Sequence, residues 1–543
     1  MNNWASPNPD PKGGIAPSTT RVSNLANHLT RNARRLGDSL ALVWGEEQWT
    51  WAQMEARVNA LAYGLQERFN VTKGDRILIQ SQNCNQMFES MLACFRLGAV
   101  WVPANFRQTP EEVSWLAESS GASGMICGAE FPDHMKACDT PERRFTLVIG
   151  GKGAEEHDFD ALVDSYMGQT VPNCAVGRDD PCWFFFTSGT TGRPKASVLT
   201  HGQMAFVLLN HLNDLMPGTT PQARSLCLAP LSHGAGIHQL TQVAAGAATV
   251  LFPTGRFDPE IAWKIVQEYR ISNMFTVPTI VKMLVEHESV SKYDTTSLKH
   301  MIYAGAPMYR SDQKYALSVL GNVLVQYFGL GEVTGNITVL PPDEHFTDDE
   351  NMRVGSCGYP RTGIEISIQD NEGNEVKTGQ QGEICVIGPA VFAGYYNNPE
   401  ANAKSFRAGW FRTGDLGYVD AEGYLFITGR ESDMYISGGS NIYPREIEEK
   451  ILTHEAVSEV AVLGVPDPVW GESGLAVCVL HKGCESTPEA LHAWLKPKIS
   501  GYKMPKRFVL LEEMPKSAYG KITKKIIRET LEQRGLLDGT VLA

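Results

Sequence analysis

The sequence predicts an α/β fold in which helices cover parallel sheets. Three observations carry that expectation. Short apolar runs alternate with helical periodicities between Trp51 and Pro103, and do so again between Ala248 and Val277. Each alternation reads strand, helix, strand, which is the spacing of a parallel crossover. The chain has 543 residues, more than one compact core holds, so two or more domains are expected.

The elements follow in order. Met1 to Arg21 is polar and rich in Pro, Gly, Asn and Ser, without the charged start and apolar run of a signal peptide. Residues 1–22 are therefore assigned to a flexible arm. Trp51, Met54, Val58, Leu61 and Leu65 recur at helical spacing, and Arg76–Gln80 reads as a short buried strand. Met87, Met91 and Phe95 mark a second helix that stops at Gly98, and Ala99–Pro103 is the next strand. The pattern returns with a strand at Ala248–Phe252, a helix at Ile261–Tyr269 and a strand at Met274–Val277. Near the end, Arg445–Leu452 predicts a helix, Val457–Val465 a strand and Ile522–Gln533 a terminal helix. A dense run of Gly, Asp and Ser at Gly429–Asp433 follows a completed strand and marks a domain boundary.

Composition narrows the function classes. The formal net charge is −13, which argues against a general nucleic-acid or anionic-membrane binder, because both need clustered positive charge. The 11 cysteines are scattered, with no CxxC pair and no Cys/His metal spacing, so reduced thiols in a cytoplasmic protein are expected rather than a disulfide framework or zinc site. No apolar stretch reaches the roughly 18 residues of a membrane span.

The strongest local signal is Thr187-Ser188-Gly189-Thr190-Thr191-Gly192-Arg193-Pro194-Lys195, which follows the apolar run Trp183–Phe186. The glycines permit backbone angles that aim several N–H groups at one anion. The hydroxyls of Thr187, Ser188, Thr190 and Thr191 add donors that rotate to fit, and Lys195 adds a point charge. The set suits a polyphosphate. It is not a Walker loop, whose spacing differs.

With this loop the sequence resembles the adenylate-forming superfamily, which includes acyl-CoA synthetases, adenylation domains of peptide synthetases and luciferases. Matching motifs run in the family's order from about Trp51 to Lys524. The resemblance implies a large, multi-lobed N-terminal domain (23–430), a hinge (431–434) and a small, mobile α+β C-terminal domain (435–543).

It also implies roles. Gly305-Ala306-Pro307 matches the loop along the adenine ring, and Gln326-Tyr327-Phe328 carries an aromatic pair suited to that ring. Glu332 matches the magnesium ligand, with Thr190 beside it, and a carboxylate suits that hard cation. The family usually has Thr before this Glu; this chain has Gly331, which removes a hydroxyl that would touch the α-phosphate. Asp415 and Arg430 match residues on the ribose side. Asp433 matches the hinge, and Ser437-Gly438-Gly439 the approach of the pantetheine arm. Lys521 matches the lysine that bridges the substrate carboxylate and the α-phosphate. His233, with Gly234 and Ala235, matches the acyl pocket beside that carboxylate.

The activity implied is ATP-dependent formation of an acyl-adenylate from a small-molecule carboxylic acid and transfer of the acyl group to coenzyme A, with ATP, Mg²⁺ and coenzyme A required. A medium-to-long-chain fatty acid is the expected substrate, with an aromatic acid of coumarate or benzoate type as the alternative. Transfer to a separate carrier protein is a second alternative. A non-catalytic nucleotide- or acyl-binding regulator is a third, against which Lys195, Glu332, Asp415, Arg430 and Lys521 all stand. Relatives of this kind are often monomers or homodimers, and no nucleic-acid partner is expected.

Overall fold

The computed structural model describes residues 21–151, 157–187, 193–253, 257–305, 308, 310–348, 350–353, 355–430, 433–437, 440–516 and 522–537. Contacts divide the chain into two compact units. One comprises Met1–Arg353, Gly358–Glu365 and Val386–Phe411; the other comprises Val354–Cys357, Ile366–Cys385 and Arg412–Ala543.

The first unit holds two large sheets among its described residues, both mainly parallel as expected. In the first sheet, Val100–Ala104, Arg76–Gln80, Gly124–Gly128 and Thr146–Ile149 lie side by side and parallel. Pro181–Thr187 joins parallel to Val100–Ala104, and Lys195–Thr200 closes that edge antiparallel. The second sheet runs parallel from Leu40–Trp44 through Ala248–Leu251, Arg224–Cys227, Asn273–Thr276 and His300–Tyr303 to Leu324–Phe328. Strands buried on both faces need no alternation, which is why these runs read as continuously apolar.

The helices start and stop where the local chemistry dictates. Trp51–Phe69 begins after Thr50, whose hydroxyl accepts from the Gln53 N–H while the Gln53 side chain accepts from the Thr50 N–H. Asn85–Leu97 ends at Gly98, whose φ of 69° is the left-handed cap that glycine adopts without a Cβ penalty.

Gly382–Ile387, Trp410–Val419 and Leu425–Arg430, most of whose residues belong to the second unit, contribute to one sheet. Val457–Asp467, Gly471–Leu480 and Arg507–Leu510 form the centre of another. The helices Pro444–Ile451 and Pro488–Leu495 pack on one apolar face of that sheet, and Lys524–Gln533 on the other.

Some boundaries shift. The terminal helix starts at Lys524 rather than Ile522, because Thr523 caps it with its hydroxyl accepting from the Ile526 N–H. Arg21 and Val22, assigned to the arm, instead pair antiparallel with Gly177 and Val176, which satisfies their backbone groups. Residues 1–20 lie outside the described residues. All eleven cysteines are free thiols. No described helix is long and apolar enough to cross a membrane.

Candidate active site

The strands that flank the predicted phosphate loop form a β-hairpin. Pro181–Thr187 and Lys195–Thr200 pair antiparallel, and their register places Thr187 directly opposite Lys195. The apolar residues Trp183–Phe186 bury the first strand and so anchor the loop's root. Ser188, Gly189, Thr190, Thr191 and Gly192 lie outside the described residues. Among the described residues Lys195 forms no ion pair; its ammonium sits 4.3 Å from the centroid of the Tyr395 ring.

Glu332 comes to this hairpin from a distant part of the chain. It lies in the single 3-10 turn Gly331–Val333, which follows the Leu324–Phe328 strand. The residue is 6% exposed. Thr187 Oγ1 donates to its Oε1 at 2.7 Å, and Tyr395 Oη donates to the same oxygen at 2.9 Å. Among the described residues Oε2 takes no hydrogen bond, so Oε1 is the held oxygen of the carboxylate. One carboxylate with hydroxyls nearby fits Mg²⁺, which keeps its waters and takes phosphate oxygens. Thr334, immediately after the turn, adopts φ 54°, a left-handed conformation uncommon for a β-branched residue.

The structure gives a physical account of Gly331. A Cβ at this position would sit 2.7 Å from the Phe185 ring and from the Thr187 methyl. Phe185 and Thr187 fill the place a threonine side chain would take, so the hydroxyl absent from position 331 has no room there.

Around His233 the surroundings are aromatic. His233 precedes the helix Gly234–Ala245 in extended conformation, and its side chain makes no capping bond. Its Nδ1 lies 3.1 Å from Ser232 Oγ, and its ring meets Phe185 edge-on at 5.3 Å. A Cβ at Gly234 would meet the Phe275 ring at 3.0 Å and Tyr327 Oη at 3.4 Å, so this wall tolerates only glycine without adjustment. Ala235 is buried. Phe275 and Tyr327 stack at 6.0 Å. Tyr327 and Phe328 do not form one face as a pair: successive strand residues point to opposite sides, and Tyr327 turns inward. Gln326 accepts a hydrogen bond from Tyr303 Oη. Gly305 has φ 83°; Ala306 and Pro307 lie outside the described residues.

The second unit carries the other predicted residues. Asp415 and Arg430 are register partners on Trp410–Val419 and Leu425–Arg430, and Arg430 Nε donates to Asp415 Oδ1 at 2.9 Å. Asp415 is 4% exposed, and its backbone N–H is held by Thr413 Oγ1. Asp433 is half-buried. Ser437 ends the strand Tyr435–Ser437 and pairs with Gly471. Gly438, Gly439 and Lys521 lie outside the described residues.

Tyr395, Phe185 and Phe275 are site residues that sequence reading missed. Each sits in a segment whose local pattern is that of an ordinary strand or turn. Only the tertiary fold brings Tyr395 to Glu332, because residues 393–396 add to the open edge of Lys195–Thr200 through the pairs Val198–Gly394 and Tyr396–Ala196.

Thr187, Lys195 and Glu332 thus come together on one α/β scaffold. A family model for AMP-binding enzymes matches residues 29–396, and one for the AMP-binding enzyme C-terminal domain matches residues 446–521. The chain is 34% identical over 514 residues to a feruloyl-CoA synthase of Amycolatopsis sp, covering 94% of this chain and 99% of that protein. It is 32% identical over 484 residues to a long-chain-fatty-acid–CoA ligase of Mycobacterium tuberculosis, covering 88% of this chain and 92% of that one. Among solved structures, the o-succinylbenzoate CoA synthetase from Bacillus subtilis with its acyl-adenylate intermediate superposes with TM-score 0.82 and 28% identity, covering 96% of this chain and 100% of that one. The chain belongs to the AMP-binding enzyme family. Within it the chain stands in the acyl- and aryl-CoA ligase branch, as an AMP-forming acyl-CoA synthetase.

Proposed function

We propose that this protein joins an apolar carboxylic acid to coenzyme A in two half-reactions, and that the acid carries an aromatic ring. The meeting of Glu332 with Thr187 and Lys195 at the root of one hairpin supports the first half-reaction. Thr187 and Lys195 hold the phosphates of ATP, and Glu332, with Thr190, would hold Mg²⁺. When bound, the cation neutralises charge on the phosphate oxygens. His233, at the start of the Gly234–Ala245 helix, orients the carboxylate for in-line attack on the α-phosphate, and pyrophosphate leaves. Lys521 stabilises the charge that develops between carboxylate and phosphate. Asp415 accepts from the ribose hydroxyls, with Arg430 steadying it.

In the second half-reaction the small domain turns about Asp433. Lys521 withdraws, and the Ser437–Gly439 segment admits the pantetheine arm. The thiol attacks the acyl carbon, a thioester forms, and AMP leaves. The scattered free thiols support a reducing, cytoplasmic setting.

The aromatic acid is placed ahead of the fatty acid that the sequence predicted. The stacked Phe275 and Tyr327, the Phe185 ring and the close fit at Gly234 support a flat substrate, as does the likeness to a feruloyl-CoA synthase. A medium-to-long-chain fatty acid is the second reading, supported by the likeness to the mycobacterial ligase. The test is pyrophosphate and AMP release from Mg·ATP with aromatic, fatty and short acids, with and without coenzyme A. Turnover that needs an aromatic acid and coenzyme A is expected. Faster turnover on fatty acids would reverse the order of substrates. Pyrophosphate released once per site with no thioester on adding coenzyme A would point to another acceptor.

A further inference from the structure

Tyr395 touches both charged groups of the phosphate site. Its phenol donates to Glu332 Oε1 at 2.9 Å, and its ring lies under the Lys195 ammonium at 4.3 Å. The backbone that carries this side chain is held in place. Asn402 Oδ1 accepts from the Tyr395 N–H at 2.6 Å, while Asn402 Nδ2 donates to the Tyr395 carbonyl at 3.0 Å. The flanking residues are fixed to the Lys195–Thr200 strand by backbone bonds, Val198 N–H to the Gly394 carbonyl and Tyr396 N–H to the Ala196 carbonyl. Tyr395 is 7% exposed.

We propose that Tyr395 is a positioning residue that couples the metal-binding carboxylate to the phosphate-binding lysine. This rests on the Mg·ATP reading above. By occupying Glu332 Oε1 together with Thr187, the phenol directs Oε2 to the cation. Its ring face steadies Lys195 by cation–π attraction without neutralising it, as a carboxylate partner would. The two halves of one side chain thus do separable work, and substitution separates them. Tyr395→Phe removes the hydrogen bond and keeps the ring; Tyr395→Leu removes both.

The test measures binding to the full-length protein by thermal stabilisation, with ATP in EDTA and with ATP over a Mg²⁺ titration. For Tyr395→Phe, metal-free ATP stabilisation should match the wild type, while the half-saturating Mg²⁺ concentration rises about tenfold, as for the loss of one hydrogen bond to a charged group. For Tyr395→Leu, metal-free ATP binding should also weaken by about threefold or more. A residue of merely structural role would lower the ligand-free melting temperature and leave the Mg²⁺ midpoint in place. Tyr395→Phe with a wild-type Mg²⁺ midpoint would overturn the assignment to Glu332. Unchanged metal-free binding in Tyr395→Leu would overturn the assignment to Lys195. A wild-type protein without Mg·ATP stabilisation would overturn the nucleotide reading itself, an outcome distinct from either.

Discussion

Gly331 shows how one residue answers to its neighbours. Its missing side chain leaves the space that the Phe185 ring and the Thr187 methyl occupy, and Thr187 reaches Glu332 from there. Adding the threonine usual in the family would therefore not restore a phosphate contact. Gly331→Thr is expected to destabilise the protein by about 1–3 kcal/mol, the ordinary cost of overpacking. It should also slow pyrophosphate release, because Thr187 must move from Glu332. A melting curve and an adenylation rate check both effects; an unchanged melting temperature with faster adenylation would mean that the ring and methyl give way freely.

At the scale of elements, the site is built from strand pairings. One hairpin sets Thr187 against Lys195. The antiparallel pair Trp410–Val419 and Leu425–Arg430 sets Asp415 against Arg430 in the same way. Asp415 is buried while the Arg430 side chain is 53% exposed, so the carboxylate is the fixed member of the pair and the arginine the adjustable one. Asp415→Asn should therefore raise KM for ATP by about 10–100-fold, the range for losing a hydrogen bond to a charged group, with a smaller change in kcat. An ATP titration with coenzyme A and acid saturating reads the split. A fall in kcat with KM unmoved would place Asp415 in the chemical step rather than in ribose binding.

At the scale of the whole molecule, the two half-reactions demand that different residues serve in turn. Lys521→Ala is expected to slow adenylate formation by about 10²–10³-fold, the loss from one donor aimed at the transition state. Thioester formation from supplied acyl-adenylate should be nearly unchanged; equal loss in both halves would remove Lys521 from its assigned place. The residues that carry local chemistry were legible before any fold was known. The Thr187–Lys195 run, Glu332 and Asp415 each stand in a short motif, and the helix beginning at Trp51 and the stop at Gly98 follow from capping and from glycine's backbone freedom. Those signals act over a few residues, within reach of a linear reading. The sequence by itself determined the α/β class and the alternation of strand and helix. Only the tertiary structure decided that Tyr395 joins Glu332 to Lys195 and that Phe185 and Thr187 exclude a side chain at Gly331. Those contacts link segments some 60 to 200 residues apart, and such pairings depend on which strands become neighbours in a sheet, which no local pattern of side chains specifies.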